Sequence, residues 1–317
     1  MELPPEIMVK VFENLNFYDL KTAMLVSKYW KAAAEDKTLW KNFNLNMKMT
    51  RNFNALKLLE SPRFSAVENL SLQGVNHSFS EIQDEHLKLM SKLKVKHLSL
   101  YKISVQKTSP DLFSKVLNRI EKVELSHITN FTKMHIKSFF NVLEIGSNIK
   151  TLRFDNLADF DASEIDPEIV GISFNTLEVL EMFSTKFDSG HLKCIFGQMN
   201  ENTNLKLVSF WDQNLSNIDP DFLAEAVHRL QIAKLMNAHL STVQMERIFR
   251  RIGDFSYLRV LDLGMNANMK FVDGRLKMEA TMTLEQFDCD TWPTIDTEAW
   301  ATILRTGKYF VGDFDFD

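Results

Sequence analysis

From residue 67 onward the chain repeats one arrangement of hydrophobic positions, apolar-x-x-apolar-x-apolar. It appears as Val67/Leu70/Leu72, Val95/Leu98/Leu100, Ile120/Val123/Leu125, Ile149/Leu152/Phe154 and Leu177/Leu180/Met182. It continues as Leu205/Val208/Phe210, Leu230/Ala233/Leu235, Leu258/Leu261/Leu263 and Leu284/Phe287/Cys289. The central residues lie 28, 25, 29, 28, 28, 25, 28 and 26 positions apart. So regular a period predicts a solenoid, because a single unit cannot bury its own apolar face and must stack on its neighbours. Each unit reads as a short strand followed by a helix. The second and third apolar residues alternate with polar ones and point inward, while their neighbours line the open face of a parallel sheet. Trp40/Phe43/Leu45 fits the same template 27 residues before Leu70 and is expected to be a degenerate first turn.

Helix starts are visible at Ser109-Pro110, Asp166-Pro167 and Asp219-Pro220, each a capping residue followed by proline at the first helical position. Amphipathic stretches follow, such as Leu112, Phe113, Val116 and Leu117. The first forty residues differ. Pro4 and Pro5 stand where a helix can begin, and Ile7, Val11, Phe12 and Leu15 then recur at helical spacing. Asn16 closes that segment. Asp19 is expected to cap a second helix through Leu20, Ala23, Met24 and Leu25, and Ser27 a third that carries Trp30 and Ala34. Three helices in so few residues bury little core.

Leu3-Pro4-Pro5-Glu6-Ile7, Val11-Phe12, Leu15, Asp19-Leu20, Val26-Ser27-Lys28, Trp30 and Leu39-Trp40 together resemble the F-box. This is the helical module by which substrate receptors of cullin-type ubiquitin ligases hold a Skp-type adaptor. The repeats resemble the leucine-rich-repeat arrays that accompany F-boxes in many such receptors. The resemblance implies an α + α/β chain: a three-helix F-box over residues 1–45, then a right-handed leucine-rich-repeat horseshoe over 46–317 of nine to ten repeats, with a parallel sheet on its concave face. It implies that Leu3, Pro4, Ile7, Val11, Phe12, Leu15, Leu20, Val26 and Ser27 meet the adaptor, with Trp30 and Trp40 stabilising the bundle and its junction. The partners implied are the adaptor, through it a cullin and a RING subunit, and a protein substrate of unknown identity. The chain itself would be a non-catalytic receptor without a cofactor. A binding scaffold or stoichiometric inhibitor on the same repeats is the alternative, and a repeat-based GTPase activator a third class. One departure stands out: the asparagine expected five positions after the central residue occurs only as Asn266, the other units offering Val75, Ile103, Ile128, Leu157, Thr185, Gln213 or Ala238.

Composition narrows the setting. With 317 residues, 45% hydrophobic content and only Gly 10 and Pro 7, the chain reads as globular. No apolar run is long enough to span a bilayer and the start lacks a signal-peptide pattern, so no membrane partner is expected. Cys194 and Cys289 cannot build a disulfide framework, which suits the cytoplasm or nucleus. The net charge is −5, and residues 281–317 hold Arg305 and Lys308 against eight acids. No basic field for nucleic acid appears. Phosphate loops, paired-cysteine zinc patterns and nucleophile elbows are absent from the sequence, so no catalytic or metal residue is expected. His191-x-x-Cys194 is the nearest approach to ligand spacing and reads as a helix position. Cys289 reads as a core thiol.

The open face changes character along the array. The residue before the centre is Asn69, His97, Lys122 and Thr151 in units one to four, then Val179, Leu207, Ile232 and Val260 in units five to eight. Three positions after the centre, units five to eight offer Phe183, Trp211, Met236 and Gly264. These form an expected apolar patch about 14 Å long at roughly 4.8 Å between strands, rimmed by Glu181, Lys234 and Asp262. Val179, Phe183, Leu207, Trp211, Ile232, Met236 and Val260 are therefore the candidate substrate-binding residues.

Overall fold

The computed structural model describes residues 3–41, 44–49, 60–74, 80–157, 160–185, 187–201, 204–252 and 256–288. Four short helices open the chain: α1 (Pro5–Phe12), α2 (Phe17–Ala23), α3 (Lys28–Ala34) and α4 (Lys37–Lys41). Pro5 begins α1 as expected. Ser27 caps α3 by accepting from the Trp30 backbone N–H at 3.1 Å. The cap of α2 is Asn16, whose side chain accepts from the Asp19 N–H at 3.0 Å, so Asp19 lies in the first turn instead of preceding it. α1 carries two apolar stripes. Met8 and Phe12 face the bundle and are buried, while Ile7 and Val11, each one position earlier, face outward.

Ten strands then form one parallel sheet: β1 (Asn44–Met49), β2 (Asn69–Gly74), β4 (His97–Tyr101), β6 (Lys122–Ser126), β7 (Thr151–Asp155), β8 (Val179–Phe183), β9 (Leu207–Trp211), β10 (Ile232–Met236), β11 (Val260–Asp262) and β12 (Gln286–Asp288). The pairing puts Leu70, Leu98, Val123, Leu152, Leu180, Val208, Ala233, Leu261 and Phe287 side by side, as the period predicts. Every one of them is buried. The first turn departs from the template: Leu45 pairs with Leu70, while Phe43, expected as its centre, lies outside the described residues. Trp40 joins box to repeats. Its ring meets Phe64 edge-on at 5.1 Å and its indole N–H donates to the Ala34 carbonyl. Cys289 lies outside the described residues.

The missing asparagines are replaced by backbone. Four residues after each strand centre a non-glycine residue is left-handed, namely Lys102, His127, Asn156, Ser184, Asp212, Asn237 and Met265, with φ of 47 to 60°, and Asn130 and His239 add a second in two of the turns. Each such residue costs about 1–2 kcal/mol in isolation. The cost is offset along the ladder, where His127 N–H donates to the Asp155 carbonyl, Asn156 to Phe183 and Ser184 to Trp211, at 2.9 to 3.0 Å. The turn thus reverses without polar side chains, leaving Ile103, Ile128 and Leu157 free to pack inside. In the early repeats a second small parallel sheet, β3 (Ser80–Gln83) with β5 (Ile103–Lys107), extends the ladder. Asn266 works through its side chain, accepting from the N–H groups of Ala238 and Leu240 and donating to the carbonyls of Leu235 and Leu263.

The outer helices alternate in how they begin. α6 (Pro110–Leu117), α8 (Pro167–Ser173) and α10 (Pro220–His228) start with proline. Asp166 and Asp219 cap as predicted, whereas Ser109 makes no side-chain cap and its N–H donates to Asp84. Between them, α5 (Asp84–Met90), α7 (Lys133–Ile145), α9 (Ser189–Glu201) and α11 (Thr242–Arg251) carry a buried polar residue at the third position: His86, His135, His191 and Gln244. The last three also reach back to the preceding repeat, as when Gln244 donates to the carbonyls of Leu215 and Ile218. Another row, two residues before each strand centre, reads Glu68, Lys96, Glu121, Lys150, Glu178, Lys206, Gln231, Arg259 and Glu285. Its alternating charges pair across repeats, for example Lys96 with Glu68 at 3.3 Å and Lys206 with Glu178 at 2.7 Å.

Candidate functional site

Two surfaces expose apolar groups that the fold leaves uncovered. The first is an edge of the helical module. Leu3, Ile7, Val11 and Val26 remain 43 to 59% exposed, and Pro4 is exposed beside them. The Tyr29 hydroxyl donates to the Leu3 carbonyl and fixes the chain end against α3. Leu15 is half-buried, and Ser27 is exposed but engaged as the α3 cap. Phe12 and Leu20, also expected at the adaptor, lie inside the bundle. Both are 1% exposed, because they fill the bundle centre, Phe12 lying edge-on to Trp30 at 5.5 Å. Leu25, 82% exposed, was absent from the expected set because the sequence pattern placed it inside α2. The helix ends at Ala23, and Leu25 stands on the following turn.

The second surface is the sheet face opposite the helices. Strand pairing aligns Val179, Leu207, Ile232 and Val260 in one row and Phe183, Trp211 and Met236 in another. All are partly exposed, and Trp211 projects furthest, at 37%. The rings of Phe183 and Trp211 lie 6.3 Å apart, and the Arg153 guanidinium stacks over Phe183 at 4.7 Å. Gly264 is buried and ends the second row. The expected charged rim is displaced: Glu181, Lys234 and Asp262 stand between the two apolar rows, since a strand returns to the same face at every second residue. Glu181 pairs with Arg153 at 3.8 Å. Ser209, between Glu181 and Lys234, is buried.

Repeats one to three present a different floor. Ser71 and Ser99 leave a depression of about 300 Å³ bounded by Asn69, His97, Lys122 and Glu124. Lys122 and Glu124 neutralise each other at 2.8 Å. Further along, Tyr101 packs edge-on against His127.

Groups with catalytic chemistry are occupied structurally. His191 faces Asp188 Oδ1 and the Ile165 carbonyl across its two ring nitrogens. The N–H groups of that helix start hold the Asp188 carboxyl below its usual range. Burial first, then the nearby Glu168 and Asp166 carboxylates, raises the Cys194 thiol, which disfavours the reactive thiolate. His86 and His135 are both held below the ordinary imidazole value by burial. Among the described residues no three His, Cys, Asp or Glu side chains are placed to hold a metal ion. Among them, too, no helix is long and apolar enough to cross a membrane.

No curated protein sequence matches the chain. Among solved structures it is similar to a chain of the Rad7 and Elc1 complex in yeast, at 15% identity over 97% of this chain and 92% of that one, with a TM-score of 0.46. So low a score does not establish a shared arrangement. Residues 1–46 match the F-box-like family. The chain thus carries an F-box-like domain at its start, followed by a leucine-rich-repeat-like horseshoe of parallel strands and outer helices.

Proposed function

We propose that this chain is the target-selecting subunit of an SCF-type ubiquitin ligase. In this reading the F-box-like domain docks a Skp-type adaptor, and through it a cullin and a RING subunit, while the repeats hold a protein for ubiquitination. The observation that carries it is the exposed edge of Leu3, Ile7, Val11 and Val26 on a domain that matches the F-box-like family. Fully burying one such side chain contributes about 1.5–3 kcal/mol, so half-exposed residues in a contiguous edge leave several kcal/mol available to a partner. No bond is made or broken on this chain in the proposed mechanism. Its contribution is to raise the local concentration of a target near the charged conjugating enzyme. The face carrying Phe183 and Trp211 is the proposed target surface.

The experiment is co-purification of the full chain with adaptor and cullin, followed by proteasome blockade. Recovery of both subunits, with bound proteins accumulating under blockade, supports the reading. Adaptor recovery without such accumulation would instead indicate a stoichiometric binder. Failure to recover the adaptor would overturn the assignment.

A further inference from the structure

The sheet face of repeats five to eight holds one lysine that forms no hydrogen bond or ion pair among the described residues. Lys234 stands in the middle row, with the Ile232 row on one side and the Trp211–Met236 row on the other. Its strand neighbours are Ser209 and Asp262. Ser209 is buried and uncharged. The Asp262 carboxylate accepts from the Gly264 N–H at 3.0 Å. Glu181, the remaining acid of that row, is taken by Arg153. Asp212, at the end of the Trp211 strand, accepts from the Asn237 side chain at 2.9 Å. Among the described residues Lys234 has no hydrogen-bond or ion-pair partner, although it is half-buried between apolar side chains.

We propose that this face binds a protein segment in which a carboxylate is flanked on both sides by large apolar side chains. The apolar rows lie two residues from Lys234 in each direction along the strand, about 6.6 Å away. An anion on Lys234 therefore brings the side chains two residues before and after it in an extended segment against Trp211 and Met236 on one side and against Leu207 and Ile232 on the other. A phosphate polymer does not fit, because it needs clustered lysines and arginines and offers no apolar flanks. An uncharged apolar segment does not fit either, because it would cover an ammonium without pairing it. Once the flanks exclude water, the ion pair gains strength. The inference rests on the reading of this face as the target surface, but not on the adaptor.

The test is fluorescence anisotropy of the full chain with the labelled peptide Gly-Phe-Ser-Asp-Ser-Phe-Gly, whose two Phe side chains share the face of the Asp at about 6.6 Å in an extended backbone, and its counterparts carrying Asn or Lys in place of Asp. The acidic peptide is expected to bind about tenfold more tightly than the Asn peptide, as a close charge pair contributes. Lys234→Gln should abolish that preference and leave Asn-peptide affinity unchanged. Lys234→Glu should turn the preference toward the Lys peptide, a gain that misfolding cannot produce. Trp211→Ala should weaken all three. Absence of binding up to the solubility limit, or an acidic preference that survives Lys234→Glu, overturns the proposal. So does binding that appears only in a chain ending at residue 308, because it would make the Asp-Phe-Asp-Phe-Asp end of this chain the occupant. Adaptor capture measured in parallel separates this outcome from failure of the ligase reading.

Discussion

In the repeats, Leu70, Leu98, Val123 and Leu152 are each covered by neighbouring units and are at most 1% exposed. In the helical module, Leu3, Ile7, Val11 and Val26 keep 43 to 59% of their surface. Both regions follow simple apolar patterns, and the difference lies in what covers them. A repeat has its neighbour as a partner in cis, so one inward stripe suffices. The module is too small to enclose two stripes of α1. It buries Met8 and Phe12 against α3 and leaves Ile7 and Val11 without a covering surface. A helix apolar on two sides within a small bundle is a helix with a second place to go.

The sharpest way to break this contrast is at the junction. Trp40→Ala removes a side chain that is 1% exposed, contacts Phe64 and donates to Ala34. It should destabilise the module and its joint to the first repeat by about 3–5 kcal/mol, read as a separate early transition in thermal denaturation. A single unshifted transition would mean that box and repeats are not mechanically joined there.

The repeats have their own weak link where they depart from backbone-only turns. Asn266→Ala leaves the N–H groups of Ala238 and Leu240 and the carbonyls of Leu235 and Leu263 without their side-chain partner in a buried site. A loss on the order of 2–4 kcal/mol is expected, with hydrogen exchange rising first around residues 235–240. At the equivalent Ala238 the backbone carbonyl takes the part of the side chain, accepting from the Leu215 N–H of the preceding repeat.

A smaller effect should follow acidity. Burial lowers the folded-state values of His86 and His135. Above the unfolded imidazole value, near 6.5, both are neutral in either state and the repeats keep full stability. Below it the unfolded chain takes up protons that the folded chain refuses, so stability falls as pH drops toward the folded values. His135 sits among Thr108, Thr132 and the rings of Phe113 and Phe131, with no carboxylate to stabilise a charge. The drop in melting temperature between pH 7.5 and 5 should be shallower in His135→Gln. An unchanged slope would assign the pH dependence to other groups.

Much of this was legible from the residue pattern. The nine strand centres, the helical module and the two apolar rows all follow from periods of two and 3.6 residues, which local sequence encodes directly. What escaped depended on who covers whom. Phe12 and Ile7 are both apolar and belong to one helix, and only the placement of α3 decides which is core. Asp19 looks like a cap until Asn16 takes the place. The left-handed ladder uses Lys, His, Asn, Ser, Asp and Met, a set without a shared side-chain signature, because its partners are carbonyls of the next repeat. Lys234 looked like rim in a linear count, although the strand period already placed it between the rows. The alternating row from Glu68 to Glu285 was present in the sequence and became visible only once the strands were aligned.

The central claim is that the exposed edge of α1 exists for a partner while its other stripe holds the bundle. Capture of purified Skp-type adaptor by the full chain, compared between Ile7→Ala/Val11→Ala and wild type with melting measured in parallel, tests it most directly. The account predicts at least a tenfold loss of adaptor affinity, about 1.4 kcal/mol or more, with a melting temperature close to wild type. Unaltered capture by the folded double variant, or a melting shift as large as that of Phe12→Ala, would contradict it.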